Sequence, residues 1–580
     1  MKECVNKAKS MIKTKKDAEI KASPILNFYP DSMGGTLRSA VKLLERPELT
    51  SAFSDVYILP SLYHSDLDRG FCVIDYDLNE TLATEADLER LRDLQITLLL
   101  DMVMNHASAQ SKEFQDILHR GRDSVYMEFF LDWNRFWKGR GTNGAEGYVI
   151  PEKSYLKDMF FRQPGLPVLV VITQTGERIP FWNTFYQKRF CAGTQSAELA
   201  ERLGLAADEA ERLSDEIRHG LATQHSPEQL ALTGYSVRRD IILALLYQNM
   251  QYLGQIDLNV ESQMVWLFYE QTIQKLADYG AEIVRLDAFA YTSKVPGKRN
   301  FFNEPETWEI LDRMRRLAEV RGISLLPEIH ASYAEKIHEK ISEKGFLTYD
   351  FFLPGLLLDA MECADPSVLR DWALEVYQKK IRTVNMLGCH DGIPLLDLKG
   401  LLPEERIDAL IDRVLQRGGK IKDLHGAKNV YYQINATYFS ALGEEPKRLV
   451  FARAVQLFMP GKPQVWYLDL FAGKNDLEAV KRAGADGHKE INRTNLTEVK
   501  IQEALETHVV QRQLALLRFR NNFPAFGFDA EFRIEQIRTA LLRFVWEKNG
   551  CAAILEADFK NASFRIGARP CGEAFAWTAL

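Results

Sequence analysis

Three acidic residues each close a short apolar run: Asp287 in VRLDAFAY, Glu328 in LLPEIH and Asp391 in GCHDGI. If those runs are strands whose ends converge, carboxylates about 40 and 60 residues apart in sequence meet across one cavity. Two carboxylates flanking a glycosidic bond can perform glycoside chemistry, one attacking the anomeric carbon and the other protonating the leaving oxygen and then activating the acceptor. A third can bind sugar hydroxyls and raise the acid's pKa by like-charge proximity. Arg285, two residues before Asp287, falls on the same face of a strand, where its cation would keep a nucleophile ionised. His106, His330 and His390 stand at equivalent run ends. Singly, such an acid caps the next helix or faces solvent more often than it catalyses. The set of three, with one arginine and three histidines, points to a site.

The elements that must position these residues can be read from the pattern. Eight short apolar, β-branched runs recur along the chain: Leu26–Pro30, Val56–Pro60, Ile96–Asn105, Glu282–Asp287, Ser324–Ile329, Leu347–Phe352, Thr383–Asp391 and Pro463–Tyr467. Continuous rather than alternating runs suit strands of a parallel sheet buried on both faces. Amphipathic segments lie between them. Val265, Tyr269, Ile273 and Leu276 recur at helical spacing before Gly280, and similar patterns occupy 307–321 and 366–381. The fold class expected is α/β, a (β/α)8 TIM barrel with inserted subdomains and a C-terminal antiparallel β domain; an open doubly wound sheet is the competitor.

Uneven spacing sets the expected organisation: an N-terminal extension over 1–22, barrel over 23–106, an inserted subdomain over 107–255 with a helical insertion near 187–254, barrel over 256–391, a second insertion over 392–445, barrel over 446–522 and a β domain over 523–580. In the last, FRIEQI, ALLRFVW, CAAILEAD and SFRIG alternate at period two, with Asn549-Gly550 as a turn.

Composition excludes several classes. With 73 basic against 80 acidic residues the chain carries a net charge of −7 and offers no polycationic face to nucleic acid or anionic lipid. Its seven cysteines never fall in C-x-x-C spacing, so neither a disulfide framework nor a thiolate zinc site is suggested, and a reduced, cytoplasmic setting is expected. The lysine-rich start lacks the apolar stretch of a signal peptide, and no run is long enough for a membrane span. No H-E-x-x-H, EF-hand loop, Walker A or G-x-S-x-G element is present.

The blocks DMVMNH, EIVRLDAFAY, LLPEIH and NMLGCHDGI, in this order, resemble the conserved regions of the α-amylase superfamily. YPDSMGG, DRGFCVIDY, WNTF, QIDLNV, FFNEPETW, YYQIN, AGKND and EINR are similar to its sucrose phosphorylase branch, the resemblance running from about residue 26 to 525. It implies retaining glucosyl transfer, in which sucrose donates glucose to an enzyme aspartate, fructose leaves and phosphate accepts the glucose. Asp287 would then be the nucleophile, Glu328 the general acid/base and Asp391 the transition-state stabiliser. Asp68, Phe71, His106, Arg285, His390 and Arg493 match positions that hold the glucosyl ring. Tyr291, His330, Tyr432 and Gln433 match the acceptor side, and Arg162 a phosphate contact. No metal or organic cofactor is implied, phosphate being a co-substrate. The expected partners are a small sugar, phosphate and, as an assembly, a second copy of the chain.

Two segments depart from the branch. Lys428–Gln433 lacks the acidic residue often found just before its Tyr-Gln; with His425 and Lys428 nearby, this loop could favour an anionic leaving group such as that of sucrose 6'-phosphate, unless it simply points elsewhere. About 69 residues separate WNTF from QIDL where the branch has only a few. Leu199/Leu203 and Leu213/Ile217 read as helices there, and Ser226-Pro227-Glu228-Gln229 as a helix start with a capping-box Gln. A helical lid or oligomer contact and a passive elaboration are both open. Phosphorolysis of a related glucoside such as glucosylglycerol, hydrolysis or transglycosylation, and an inactive binding barrel are the competing functions; the intact acid triad weighs against the last.

Overall fold

A computed structural model describes residues 20–578 apart from 160, 163–164, 186, 192–194, 224–226, 422–432 and 485–486. The chain forms two compact units, Met1–His64 with Tyr76–Asn105 and Trp266–Leu580, and Ser65–Asp75 with His106–Val265.

The first unit is built on eight parallel strands: β1 (Ile25–Phe28), β2 (Asp55–Ile58), β3 (Thr97–Val103), β4 (Ala281–Asp287), β5 (Ser324–Pro327), β6 (Thr348–Asp350), β7 (Thr383–Met386) and β8 (Lys462–Trp466). Their order, β5-β4-β3-β2-β1-β8-β7-β6, is that of a nearly closed (β/α)8 barrel, which removes the open-sheet alternative. Each corresponds to one of the eight apolar runs. The runs extend further than the ladders at β3, β5 and β7, because their last residues leave the sheet and become rim loops. Registers of β4 with both neighbours set Arg285 beside Asp101 of β3 and Leu326 of β5. Partnered residues on adjacent strands share a face, so the arginine and aspartate meet inside the ring.

The helix ending at Asp278, before β4, buries Val265, Tyr269, Ile273 and Leu276 completely, and Gly280 beyond it takes φ 93°, the left-handed C-terminal geometry that glycine adopts without strain. Helices Glu306–Glu319 and Ser367–Gln378 occupy the other two amphipathic segments. The segment after β7 forms a small sheet, Ile393–Pro394 and Lys420–Ile421 on either side of Gln433–Asn435.

The chain closes with a five-stranded antiparallel sheet: β9 (Glu531–Arg538), β10 (Leu541–Lys548), β11 (Cys551–Asp558), β12 (Ser563–Arg569) and β13 (Ala576–Thr578). Asn549 and Gly550, at φ 49° and 78°, make the tight turn between β10 and β11 that their types predict. Trp546 Nε1 donates to the Phe458 carbonyl at 2.8 Å and so ties this sheet to a barrel helix.

In the second unit His106–Ser108 and Gln187–Cys191 flank Met250–Asp257 in an antiparallel ladder. Trp133, Trp137 and Trp182 form a buried aromatic cluster near the hairpin Val168–Ile172/Arg178–Trp182. Helices Ser196–Leu203, Ala207–Thr223 and Arg239–Gln248 pack a core of their own around Leu199, Leu203, Leu213, Ile217, Ile242 and Leu246. The expected helix start near Pro227 is instead a single 3-10 turn, Pro227–Gln229; Ser226 lies outside the described residues. Among the described residues no helix is long and apolar enough to cross a membrane.

Candidate active site

Arg285, projecting from the middle of β4, organises the rim of the first unit. Its Nη1 donates to Asp101 Oδ1 at 2.6 Å and Asp287 Oδ1 at 2.8 Å, and its Nη2 lies 2.6 Å from Glu328 Oε1. Asp101 also accepts from Tyr57 Oη at 2.7 Å, and Glu328 Oε2 from the Ala288 amide at 3.3 Å. One planar guanidinium thus holds carboxylates from three neighbouring strands, Asp101 and Asp287 buried and Glu328 partly so.

Three carboxyls about one arginine cannot all ionise cheaply. Burial, with Glu328 and Asp101 adding to it and Arg285 opposing, pushes the Asp287 carboxyl well above the usual range. Burial presses the same way on Glu328, but Arg285 and His330 outweigh it and hold Glu328 below the ordinary carboxylate range. The cluster thus favours the neutral form of Asp287 and the ionised form of Glu328 relative to ordinary carboxyls.

His330 stands beside Glu328, Nε2 3.6 Å from Oε1, while its Nδ1 faces Asp397 at 3.5 Å and its ring stacks on Phe351 at 3.7 Å. Burial disfavours its charge, but Asp397 and Glu328 overcome this and raise it to about 9.

A second group forms beyond β7. Asp391 Oδ2 is 3.3 Å from His390 Nε2, and its Oδ1 is 2.8 Å from Lys489 Nζ and 3.5 Å from Arg493 Nη2. Asn435 and Arg493 fix the loop by donating to the carbonyls of Asp391 (2.5 Å) and His390 (2.9 Å). Burial opposes ionisation of Asp391, yet His390, Lys489 and Arg493 together hold its pKa well below the usual range. His390 is itself lowered by burial against the pull of Asp391, so at neutral pH the two permanent cations carry that effect. Asp391's charge also reaches Glu328, which places the two groups at one rim.

The structure thus brings together Asp287, Glu328, Asp391, Arg285, His330, His390 and Arg493. Tyr291 is buried in the turn after β4, its carbonyl accepting from Lys294 Nζ at 2.6 Å. Gln433 is half-buried and pairs with Pro394. Tyr432, with His425 and Lys428, lies outside the described residues.

The remaining candidates belong to the second unit. Asp68 and Arg69 take left-handed φ of 49° and 48° in succession, a strained turn of the kind that persists where surroundings over-determine it. Just after it, the Phe71 carbonyl is 3.0 Å from His106 Nε2 and accepts from Gln255 Nε2 at 3.3 Å. His106 packs on Phe185 with 5.1 Å between centroids, and the Arg162 guanidinium lies 4.7 Å from the same ring.

Sequence reasoning missed Asp101, Asp397, Lys489 and Phe185. Only Asp101 gave a signal, a carboxylate between Leu100 and Met102 inside a strand buried on both faces, which demands a buried cation. Elsewhere in the first unit His338, Glu339 and Glu375 bring three potential metal-ligand atoms within 4.8 Å, but Lys379 Nζ already lies 2.8 and 2.9 Å from the two carboxylates.

No family model matches the chain. A sucrose 6(F)-phosphate phosphorylase from Ilumatobacter coccineus is 47% identical over 551 residues, 93% of this chain and 95% of the relative. Another from Thermoanaerobacterium thermosaccharolyticum is 33% identical over 541 residues, 92% of this chain and 94% of the relative. The crystal structure of sucrose 6F-phosphate phosphorylase from Thermoanaerobacter thermosaccharolyticum superposes with a TM-score of 0.79 at 32% identity, covering 97% of this chain and 98% of that one. With the barrel, the rim carboxylates and this likeness over nearly the whole length, the chain belongs to the sucrose phosphorylase branch of the α-amylase superfamily, a family of retaining glucoside phosphorylases.

Proposed function

We propose that this enzyme phosphorolyses sucrose 6F-phosphate, releasing fructose 6-phosphate and forming α-D-glucose 1-phosphate. The observation that carries the choice of substrate is the 47% identical relative named for it. Lys428 and His425, in a segment without the branch's acidic residue, support an anionic leaving group.

In this reading Asp287 attacks the anomeric carbon while Glu328 protonates the departing oxygen; Glu328 then deprotonates phosphate, which attacks the glucosyl ester from the face the leaving group vacated. Asp391 stabilises the oxocarbenium-like transition state, and Arg493 and His390 hold it ready. Two successive inversions return the α configuration. The reaction needs a proton on Glu328 and an ionised Asp287, against the bias that burial and the shared arginine impose. An anionic group beside His330 offsets the imidazolium that depresses Glu328, so a phosphorylated donor itself favours the productive distribution. Asp68, Phe71, His106 and Arg162 would complete sugar and phosphate binding. Inorganic phosphate is the co-substrate, with no metal or organic cofactor, in a cytoplasmic setting.

The test is a phosphorolysis screen of sucrose 6F-phosphate, sucrose and glucosylglycerol at equal concentration, with and without phosphate and a chelator. Glucose 1-phosphate should form fastest from the phosphorylated donor, only with phosphate present, and with the chelator inert. Equal or faster turnover of plain sucrose would move the enzyme to the other substrate of its branch, and reducing sugar released without phosphate would make it a hydrolase.

A further inference from the structure

The acid/base Glu328 and Asp397 are 69 positions apart in sequence, yet both face the same imidazole. His330 is buried, side chain 8% exposed, with its ring clamped on Phe351 at an interplanar angle of 18°. Its two nitrogens face different carboxylates: Nδ1 faces Asp397, whose two oxygens are both 3.5 Å away, and Nε2 faces Glu328 at 3.6 Å. Ionised carboxylates only accept hydrogen bonds, and a neutral imidazole has a single N–H. With both carboxylates ionised, a ring that carries a proton on each nitrogen suits this arrangement best.

During the proposed reaction one of these neighbours changes charge. Glu328 is neutral before it protonates the leaving oxygen, anionic after, and neutral again once it has taken the proton from phosphate. A histidine held charged by Glu328 alone would lose that support whenever Glu328 is protonated. Asp397, 3% exposed in the 3-10 turn Leu396–Leu398 beyond β7, exchanges no proton with a substrate in this scheme and supplies the constant anion. We propose that Asp397 is a positioning residue that keeps His330 an imidazolium through both half-reactions, so that the acceptor side of Glu328 always presents a positive N–H to phosphate or to a phosphorylated leaving group. The inference deepens the function proposed above and rests on it for its catalytic consequence, though not for the state of His330 itself.

These groups around His330 come from three elements. Asp397 approaches from the turn after β7, and Glu328 from the end of β5 with Arg285 of β4 behind it. The end of β6 contributes the uncharged ring of Phe351. Water, being neutral, gains less than a phosphate dianion from a fixed imidazolium, so Asp397 biases the glucosyl intermediate toward phosphorolysis over hydrolysis.

The test pairs D397N with D397E in the full-length enzyme. Exchange of the imidazole carbon-bound hydrogen, followed residue by residue by mass spectrometry across pH, reads the titration of His330 directly. In D397N it should titrate roughly two pH units lower, leaving roughly tenfold less imidazolium at pH 8. The KM for phosphate should then rise roughly tenfold at pH 8 and little at pH 6, while the rate of hydrolysis without phosphate changes far less. D397E should restore much of both. H330Q, which removes the charge at similar size, should reproduce the phosphate-specific loss even if D397N folds poorly. An unchanged His330 titration in D397N, a loss equal for phosphate and water at every pH, or an H330Q enzyme with normal phosphate KM would each overturn the proposal. If the wild type phosphorolysed no glucoside, the functional reading would fall, and the titration arm would still decide the role of Asp397.

Discussion

Replacing Asp287 by Asn separates what the site does for the reaction from what it costs the fold. The amide keeps an oxygen to accept from Arg285 Nη1, now 2.8 Å from Asp287, so the rim should hold its geometry. It cannot form a glucosyl ester, and loss of a covalent route lowers kcat by about 10⁴-fold or more. Stability should move the other way. Asp287 is raised above its unfolded value chiefly by burial, against Arg285 and with Glu328 and Asp101 adding. A carboxyl raised in the fold contributes stability below the unfolded pKa, near 4, and that contribution is lost as pH climbs through the folded value. Asn does not titrate, so its advantage should be absent near pH 4 and grow steadily toward neutral pH. Asp287 is only 8% exposed, so solvent screening removes little of this. The assays are thermal melts of both proteins from pH 4 to 8, and turnover of α-glucosyl fluoride with and without azide. In the variant, azide entering from the vacated face should give the β-glucosyl azide. A melting difference that stays flat or reverses with pH would refute the electrostatic account. Activity within tenfold of wild type would refute the nucleophile assignment.

Two further outcomes follow from the same geometry. Lys489→Met removes a cation 2.8 Å from Asp391; the carboxyl, held low partly by that lysine, should rise and carry the acidic limb of the kcat/KM profile to higher pH, while an unmoved limb would show that Arg493 suffices. Leu213→Ala empties a site 1% exposed in the core of the helical segment and should cost that segment about 2–5 kcal/mol, seen as faster proteolytic cleavage between residues 196 and 248 with the barrel's melting unchanged; loss of both together would mean they unfold as one body.

The barrel was legible because burial on both faces leaves a plain trace: β1 to β8 are all continuous apolar runs, and parallel strands with helices on the outside require that. The acids at the ends of β4, β5 and β7 were legible for the same reason, since a charge ending such a run has to face the rim. Asp397 and Lys489 gave no such trace. Each sits in a short 3-10 turn with no period, and each matters only through a partner far away in sequence, His330 or Asp391, that the fold brings close. The crowding of acids around Arg285 was also hidden from sequence. Arg285 two residues before Asp287 suggested an ionised nucleophile, but register places Asp101 and Glu328 on the same guanidinium, and three acids divide one cation.

The ladder that joins Gln187–Cys191 to Met250–Gly254 has a bearing on how this chain tolerates change. It pairs Cys191 with Met250, so the polypeptide leaves for the helical segment and returns from it through two adjacent strands. Everything between those residues hangs from a hairpin stem, and closing such a stem costs only slowly more as the loop lengthens. That makes the stem a natural graft point. The three helices can be shortened to a tight turn, exchanged for another small domain or used to carry a tether, with the β-ladder below them left in register. A chain that gained its extra segment by insertion would be expected to have gained it at a place like this, where ancestral and enlarged forms differ only above the last paired residues.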